Sequence, residues 1–247
     1  MQEGALPSPR FGVTGRVAGL EKVAESVTAL RIEVTDAPLA FAPGQYVALT
    51  LPEQPPRDYS LTWRSEPALL EFFIRDHQSG GASSFVARRL RVDDEVRFDG
   101  PFGTMTPDPE HTGPVLCIAG STGIGPIAGI AAAIGRIRPD AEVHLYWSAA
   151  QAEELFLLDD LAAALPLDGG LILAADDAEA DGVIVRRGSA LDAVQADFGR
   201  LDGWAAYAAG PPAMVEAAAD LLVSLGLDAD AFHADAFFTQ KDKQKGR

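Results

Sequence analysis

The chain has 247 residues, room for one domain or two, and its 47% apolar and 23% charged content excludes wholesale disorder. A formal charge of −16 argues against a nucleic-acid backbone or an anionic membrane surface as a long-range partner. The single cysteine, Cys117, excludes an intrachain disulfide, a four-cysteine zinc site and a four-cysteine iron–sulfur cluster within these residues.

Met1-Gln2-Glu3-Gly4 has neither a basic region nor an apolar core, so no signal peptide is expected. The first half reads as strands. Residues 11–17 alternate loosely, and in 27–34 Leu30, Ile32 and Val34 fall on one face. Pro43-Gly44 is a turn before a strand at 46–50, and further strands are expected at 69–74 and 95–98. A helix over 83–90 follows Gly80-Gly81. Short strands at this spacing predict a small antiparallel barrel or sandwich.

Then the period changes. Residues 115–119 are a continuous apolar run, as expected of a strand buried on both faces. Strands at 142–147, 171–175 and 205–209 alternate with helices at 126–137, 153–165, 190–198 and 213–225. That alternation predicts a parallel sheet with helices on both faces. Residues 111–135 contain no Asp, Glu, Lys or Arg, but glycines and prolines break the run. A strand, a glycine loop and a buried helix explain it better than a membrane span. The expected division is a first domain at 8–108, a second at 112–240 and a polar tail at 241–247.

Four loops carry candidate chemistry. Gly120-Ser121-Thr122-Gly123-Ile124-Gly125-Pro126 sits between a strand and a helix, where backbone N–H groups favour a phosphate. It follows neither the G-x-G-x-x-G order nor a Walker loop, and a plain tight turn is the competing reading. In Arg57-Asp58-Tyr59-Ser60 the arginine offers a fork for phosphate and the tyrosine a stacking surface. A strand end with a surface arginine reads equally well. Gly80-Gly81-Ala82-Ser83-Ser84 exposes N–H groups before a helix, or is simply its cap. Ala209-Gly210-Pro211-Pro212 is a second strand-to-helix loop. Cys117 reads as a small buried hydrophobe, and the four histidines are too scattered for a metal site, so no metal is expected.

Each motif is weak, but their order is distinctive. Pro-Gly-Gln-Tyr, Arg-x-Tyr-Ser, Gly-Gly-x-x-Ser, Gly-x-Thr-Gly-Ile-x-Pro, Ala-Gly-Pro-Pro-x-Met and a closing Asp235-Ala236-Phe237 run through 11–238. In this order the chain resembles the ferredoxin–NADP reductase superfamily, and within it bacterial NAD(P)H–flavin and ferredoxin reductases without a fused iron–sulfur domain. The resemblance implies a Greek-key FAD-binding β-barrel followed by a Rossmann-like NAD(P)-binding α/β domain. It implies that Arg57 meets the flavin phosphates, Tyr59 stacks on the isoalloxazine and Ser60 lies near N5. Gly81, Ala82 and Ser84 would hold the pyrophosphate of FAD. Gly120, Thr122, Gly123 and Pro126 would bind the pyridine nucleotide, with Gly210 and Pro211 near the nicotinamide. Asp235 and Phe237 would close over the flavin. Ser60, Tyr59 and Asp235 are the residues expected at the reacting atoms.

Two departures bear on activity. Relatives often place Cys-Gly where this chain has Ala209-Gly210, and an arginine where it has Ala150. Losing that arginine, with Glu153 and Glu154 nearby, favours NADH over NADPH, although Arg186 and Arg187 offer an alternative phosphate site. The leading expectation is a cytoplasmic FAD-holding reductase that passes electrons to a separate ferredoxin. A reductase of free flavin is the alternative, and a flavin- or nucleotide-binding regulatory subunit is the reading from another class. Arg64, Arg75, Arg88, Arg89, Arg91 and Arg97 either form a positive dock for an acidic partner or are ordinary surface arginines balanced by nearby acids.

Overall fold

The computed structural model describes residues 6–78, 80–165, 170–178 and 185–238, so the polar tail at 241–247 lies outside the described residues. The chain forms two compact units that divide between Pro109 and Glu110.

The first unit contains β1 (Arg10–Ala24), β2 (Val27–Val34), β3 (Tyr46–Thr50), β4 (Arg57–Ser60), β5 (Leu69–Arg75), α1 (Gly81–Arg88) and β6 (Glu95–Phe102). The strands form one antiparallel sheet in the order β4-β3-β6-β1-β2-β5. Leu30, Ile32, Leu49, Leu70, Phe72 and Phe98 are buried in its core, and α1 adds Ala82, Phe85 and Val86. In β2 the outward Arg31 and Glu33 alternate with these apolar residues, which is the period-2 pattern that makes it a strand. The sheet curls so that the chain beyond β4 meets β5: the Thr62 N–H donates to the Glu71 carbonyl at 3.1 Å. The result is barrel-like, as expected.

Glu71 is the polar tie at this closure. It is 2% exposed and accepts from Arg31 Nε at 2.8 Å and from Thr62 Oγ1 at 3.0 Å, with Arg64 Nε 3.6 Å away. A buried carboxylate is tolerated only with such partners.

The second unit contains β7 (Val115–Gly120), α2 (Ile124–Ile137), β8 (Val143–Ala149), α3 (Leu158–Ala164), β9 (Leu171–Ala175), β10 (Val185–Arg187), α4 (Ala190–Asp197), β11 (Ala205–Gly210), α5 (Pro212–Ser224) and β12 (Phe232–Ala236). All six strands are parallel, in the order β10-β9-β8-β7-β11-β12. Every residue of β7 and β11 is buried, because helices cover both faces. The chain runs outward from β7 through β10, then returns to the other side of β7 as β11. That reversal is the topological switch point, where open parallel sheets bind ligands at the carboxyl ends of their strands.

Some elements differ from expectation. No single helix spans 153–165: a 3-10 turn at Ala152–Glu154 precedes an extended Leu155, and α3 starts only at Leu158. Leu155 and Phe156 are buried, and the Phe156 ring meets Trp147 edge-on at 5.3 Å. Tertiary packing overrides helix propensity there. The strands β4, β10 and β12 were not expected as such. All are sheet edges rich in polar or charged residues, so none shows an apolar run. No described helix is long and apolar enough to cross a membrane.

Glu71→Gln keeps the shape but loses the ion pairing with Arg31, so it should lower unfolding free energy by about 1–3 kcal/mol, read as a reduced urea midpoint with an unchanged m value.

Candidate functional site

In the first unit, β4 carries Arg57, Tyr59 and Ser60 along one edge of the sheet. Alternation puts Arg57 and Tyr59 on the same side of the strand. The Tyr59 ring rests edge-on against buried Phe72 at 6.3 Å and remains partly exposed. Burial pushes its hydroxyl up to about 12, while Arg57 works in the other direction, so the ring stays neutral in any ordinary buffer. A neutral, braced aromatic surface beside an arginine fits a flavin ring and its phosphates.

Buried Gln45 fixes the turn that leads into β3. Its side chain accepts from the Ala42 N–H at 2.8 Å and donates to the Gly103 carbonyl at 3.1 Å. Ser60 pairs with Tyr46 in the β3–β4 register, so this turn also places Ser60.

Gly81, Ala82 and Ser84 form the first turn of α1. No side chain caps this helix, and a Cβ added at Gly80 (φ 81°) would meet nothing within 4 Å. Open space at uncapped N–H groups suits an anion. The Ala82 side chain is buried, which leaves only its backbone for a ligand. Ser84 is committed differently from expectation: its hydroxyl donates to Asp76 Oδ1 at 2.6 Å. Asp76 also accepts from the Gln78 N–H at 2.8 Å and lies 3.4 Å from Arg88. The Ser84 hydrogen bond, aided by Gln78 and Arg88, holds the Asp76 carboxyl below its ordinary range. From sequence Asp76 is expected only as an acid that balances nearby arginines; its hold on Ser84 and Gln78 is what the structure adds.

In the second unit the two glycine-bearing loops meet at the switch point. A Cβ at Gly123 would collide with the Ala209 carbonyl, and one at Gly210 (φ 148°) would lie 2.9 Å from the Gly120 carbonyl oxygen. A Cβ at Gly120 would strike Pro211 and Met214. These glycines are therefore required by close packing of the loops, before any ligand is considered. The 3-10 turn Ser121–Gly123 passes directly into α2, so Thr122 lies in that turn and Pro126 in the first turn of α2. No side chain caps either element. Pro126 removes an N–H that would have no partner inside the helix. The backbone N–H groups of Thr122 and Gly123 fit a pyrophosphate.

Asp235 pairs in register with Ala209, and the Phe237 N–H donates to the Gly210 carbonyl at 2.9 Å. The fold thus gathers Gly120, Thr122, Gly123, Gly210, Pro211, Asp235 and Phe237 around one end of β7, β11 and β12. Trp147 donates from Nε1 to the Ser121 carbonyl at 2.9 Å, a contact that its place in the Tyr146-Trp147 strand does not reveal from sequence. Asp177 accepts from the Ala152 N–H at 2.9 Å, tying the segment after β8 to that after β9.

Arg187 on β10 is exposed, and Arg186 beside it is partly committed. The Arg186 Nη1 lies 2.6 Å from Asp197 Oδ2, which also accepts from Tyr146 at 2.7 Å. Arg186 holds the Asp197 carboxyl below its ordinary range. The arginines of the first unit are partly spent too: Arg88 meets Asp76, Arg89 lies 3.7 Å from Glu53, and Arg91 donates to the Arg88 and Leu90 carbonyls. Cys117 is fully buried, and burial pushes its thiol up to about 12, so it is no nucleophile.

Comparison with known proteins agrees with this division. Residues 15–106 match the oxidoreductase FAD-binding domain family, and residues 117–220 match the oxidoreductase NAD-binding domain family. The chain is 34% identical over 230 residues to the ferredoxin–NAD(P)+ reductase component of the naphthalene 1,2-dioxygenase/salicylate 5-hydroxylase systems of a Ralstonia species, covering 92% of this chain and 69% of that protein. It is 31% identical to the corresponding reductase component of Pseudomonas putida, with the same coverage of each chain. Among solved structures, the Amycolatopsis cytochrome P450 reductase GcoB superposes with a TM-score of 0.83 at 30% identity, over 94% of this chain and 71% of that one. The ferredoxin reductase of carbazole 1,9a-dioxygenase gives 0.82 at 25% identity, over 94% and 70%.

Because the native Asp76 carboxyl titrates below its ordinary range, its ties are complete at neutral pH and are lost only as pH falls through that lowered pKa. Amide exchange at Gln78 and the first turn of α1, corrected for intrinsic rate, should stay constant from about pH 8 to 5. Asp76→Ala should accelerate it at pH 7.

Proposed function

The chain belongs to the ferredoxin–NAD(P) reductase superfamily, and we propose that it takes hydride from NAD(P)H onto FAD and passes the electrons to a separate ferredoxin. The observation that carries this reading is the meeting of two uncapped, glycine-bearing loops at the β7–β11 switch point. When bound, FAD supplies the conversion of a two-electron donor into a one-electron donor.

The residues of this chain bind and orient. We assign the flavin phosphates to Arg57 and to the N–H groups of Gly81 and Ala82. Tyr59 supplies the stacking surface and Ser60 a hydrogen bond at the reacting edge of the flavin. Ser84 donates to the pyrophosphate only by turning its proton away from Asp76, so the backbone N–H groups of the same turn carry most of that contact. Backbone N–H groups of Thr122 and Gly123 take the coenzyme phosphates, with Gly120 and Pro126 shaping the turn. Gly210 and Pro211 border the nicotinamide. Asp235 and Phe237, held beside Gly210 by the β11–β12 pairing, take the flavin-facing role that the family resemblance implies. The carboxylate of Asp235 is the group assigned to the polar edge of the reacting rings. Holding donor and acceptor at a near-attack separation of about 3–3.5 Å is the protein's share of the rate.

One observation favours the second reading, a reductase of free flavin. The Asp76 carboxylate stands next to Ser84, so negative charge lies beside the proposed pyrophosphate site. That charge weakens retention of FAD. We place the protein in the cytoplasm, where NAD(P)H is made and a lone thiol stays reduced.

The test is an anaerobic NADH titration of the purified protein. A yellow protein whose flavin absorbance bleaches, and then recovers on adding an oxidised plant-type ferredoxin, supports the leading reading. A colourless protein that reduces added FMN supports the second, and no NADH oxidation with either acceptor overturns both. Ala150 offers no charge and Arg186 is paired with Asp197, which leaves Arg187 as the remaining exposed arginine of β10, so kcat/KM for NADH should exceed that for NADPH by about tenfold. Ala150→Arg should narrow that ratio.

A further inference from the structure

Ser121 is the one non-glycine residue in the β7–α2 turn with positive φ, at 52°. Left-handed backbone is disfavoured for a residue with a Cβ, so surrounding structure must hold it. The Ser121 carbonyl accepts twice. The Ile124 N–H reaches it from within the turn, and the Trp147 indole reaches it from the neighbouring strand at 2.9 Å. Trp147 is fully buried, and Phe156 meets its ring at 83°, so the donor itself has little freedom.

The peptide unit joining Ser121 to Thr122 is planar and trans, so its C=O and N–H point in opposite directions. Fixing the carbonyl on the indole therefore fixes the direction of the Thr122 N–H, which points away from Trp147. That N–H is the second of a 3-10 turn with no side-chain cap. On the other flank, the turn is fixed by the contact of Gly123 with the Ala209 carbonyl.

We propose that Trp147 is a positioning residue for the pyridine nucleotide: its indole N–H sets the plane of the Ser121–Thr122 peptide and so aims the Thr122 N–H at a coenzyme phosphate. This rests on the assignment of the β7–α2 turn as the nucleotide site. Loss of the indole N–H leaves the Ser121 carbonyl on the Ile124 N–H alone and loosens that peptide, so affinity for the coenzyme falls while the hydride step in the bound complex does not.

The test replaces Trp147 in the full chain by its benzothiophene analogue, which exchanges N–H for sulfur and keeps the ring shape, with Trp147→Phe as a second variant. NAD+ binding is read by calorimetry, steady-state NADH oxidation by KM and kcat, and fold by the melting temperature. For the analogue we expect NAD+ affinity and NADH KM to worsen about five- to twentyfold, the loss of one well-formed hydrogen bond, with kcat within about twofold and a melting temperature lower by only about 2–6 °C. Trp147→Phe should show the same KM effect and a lower melting temperature. Unchanged NAD+ affinity in the analogue protein overturns the proposal. So does an affinity loss in the analogue protein that comes with a matching fall in kcat, because the N–H would then serve the chemical step rather than binding. If the unsubstituted protein itself fails to bind NAD+, the site assignment falls first and the role of Trp147 falls with it.

Discussion

The second unit depends on one contact, the backbone-to-backbone approach of the β7–α2 turn to the end of β11. Gly123 lies so close to the Ala209 carbonyl, and Gly210 to Gly120, that no side chain fits between them. Two consequences follow from this constraint. α2 and α5 start at the same end of neighbouring strands, so the loops that lead into them border one crevice. The turn is also rigid, since β7 and β11 are buried along their whole lengths. A ligand site built on such a base loses little entropy on binding.

The first unit reaches comparable rigidity by another route. Its sheet is curled rather than sandwiched between helices, and a buried carboxylate draws the ends together. Glu71 gathers Thr62, Arg31 and Arg64, which come from different parts of the chain. This closure holds β5, against which Phe72 braces the Tyr59 ring. The same β5 leads into the Asp76 turn and α1, so one closure serves both the ring-stacking and the phosphate-facing residues. Asp76 stiffens that turn at an electrostatic cost, because it stands beside a proposed anion site.

Charge gives the molecule a mixed character. The net charge of −16 repels an acidic partner at long range, and salt bridges to Asp76 and Glu53 draw down the arginines near α1. Docking to an acidic ferredoxin would therefore rely on short-range complementarity rather than steering, and its association rate should rise with salt as the repulsion is screened.

Composition and periodicity alone determined the division into an antiparallel and a parallel half, the strands at 27–34, 46–50 and 171–175, and the order of the glycine-bearing loops. Those features are local: alternation, apolar runs and turn residues act within a few positions of each other. Only the tertiary structure decided the rest. The break at 155–157 arises because Phe156 packs on Trp147, a residue on another strand. The edge strands β4, β10 and β12 exist because a neighbour supplies their hydrogen bonds, not because their own residues prefer extended backbone. Glycines that read as phosphate-binding positions proved first to be packing positions. The groups that orient the loops, Trp147 on Ser121, Asp76 on Ser84 and Asp177 on Ala152, act across gaps of eight to twenty-six residues. Sequence supplied the donors and acceptors, but pairing at that range is chosen by the sheet order and by the need to satisfy every buried polar group.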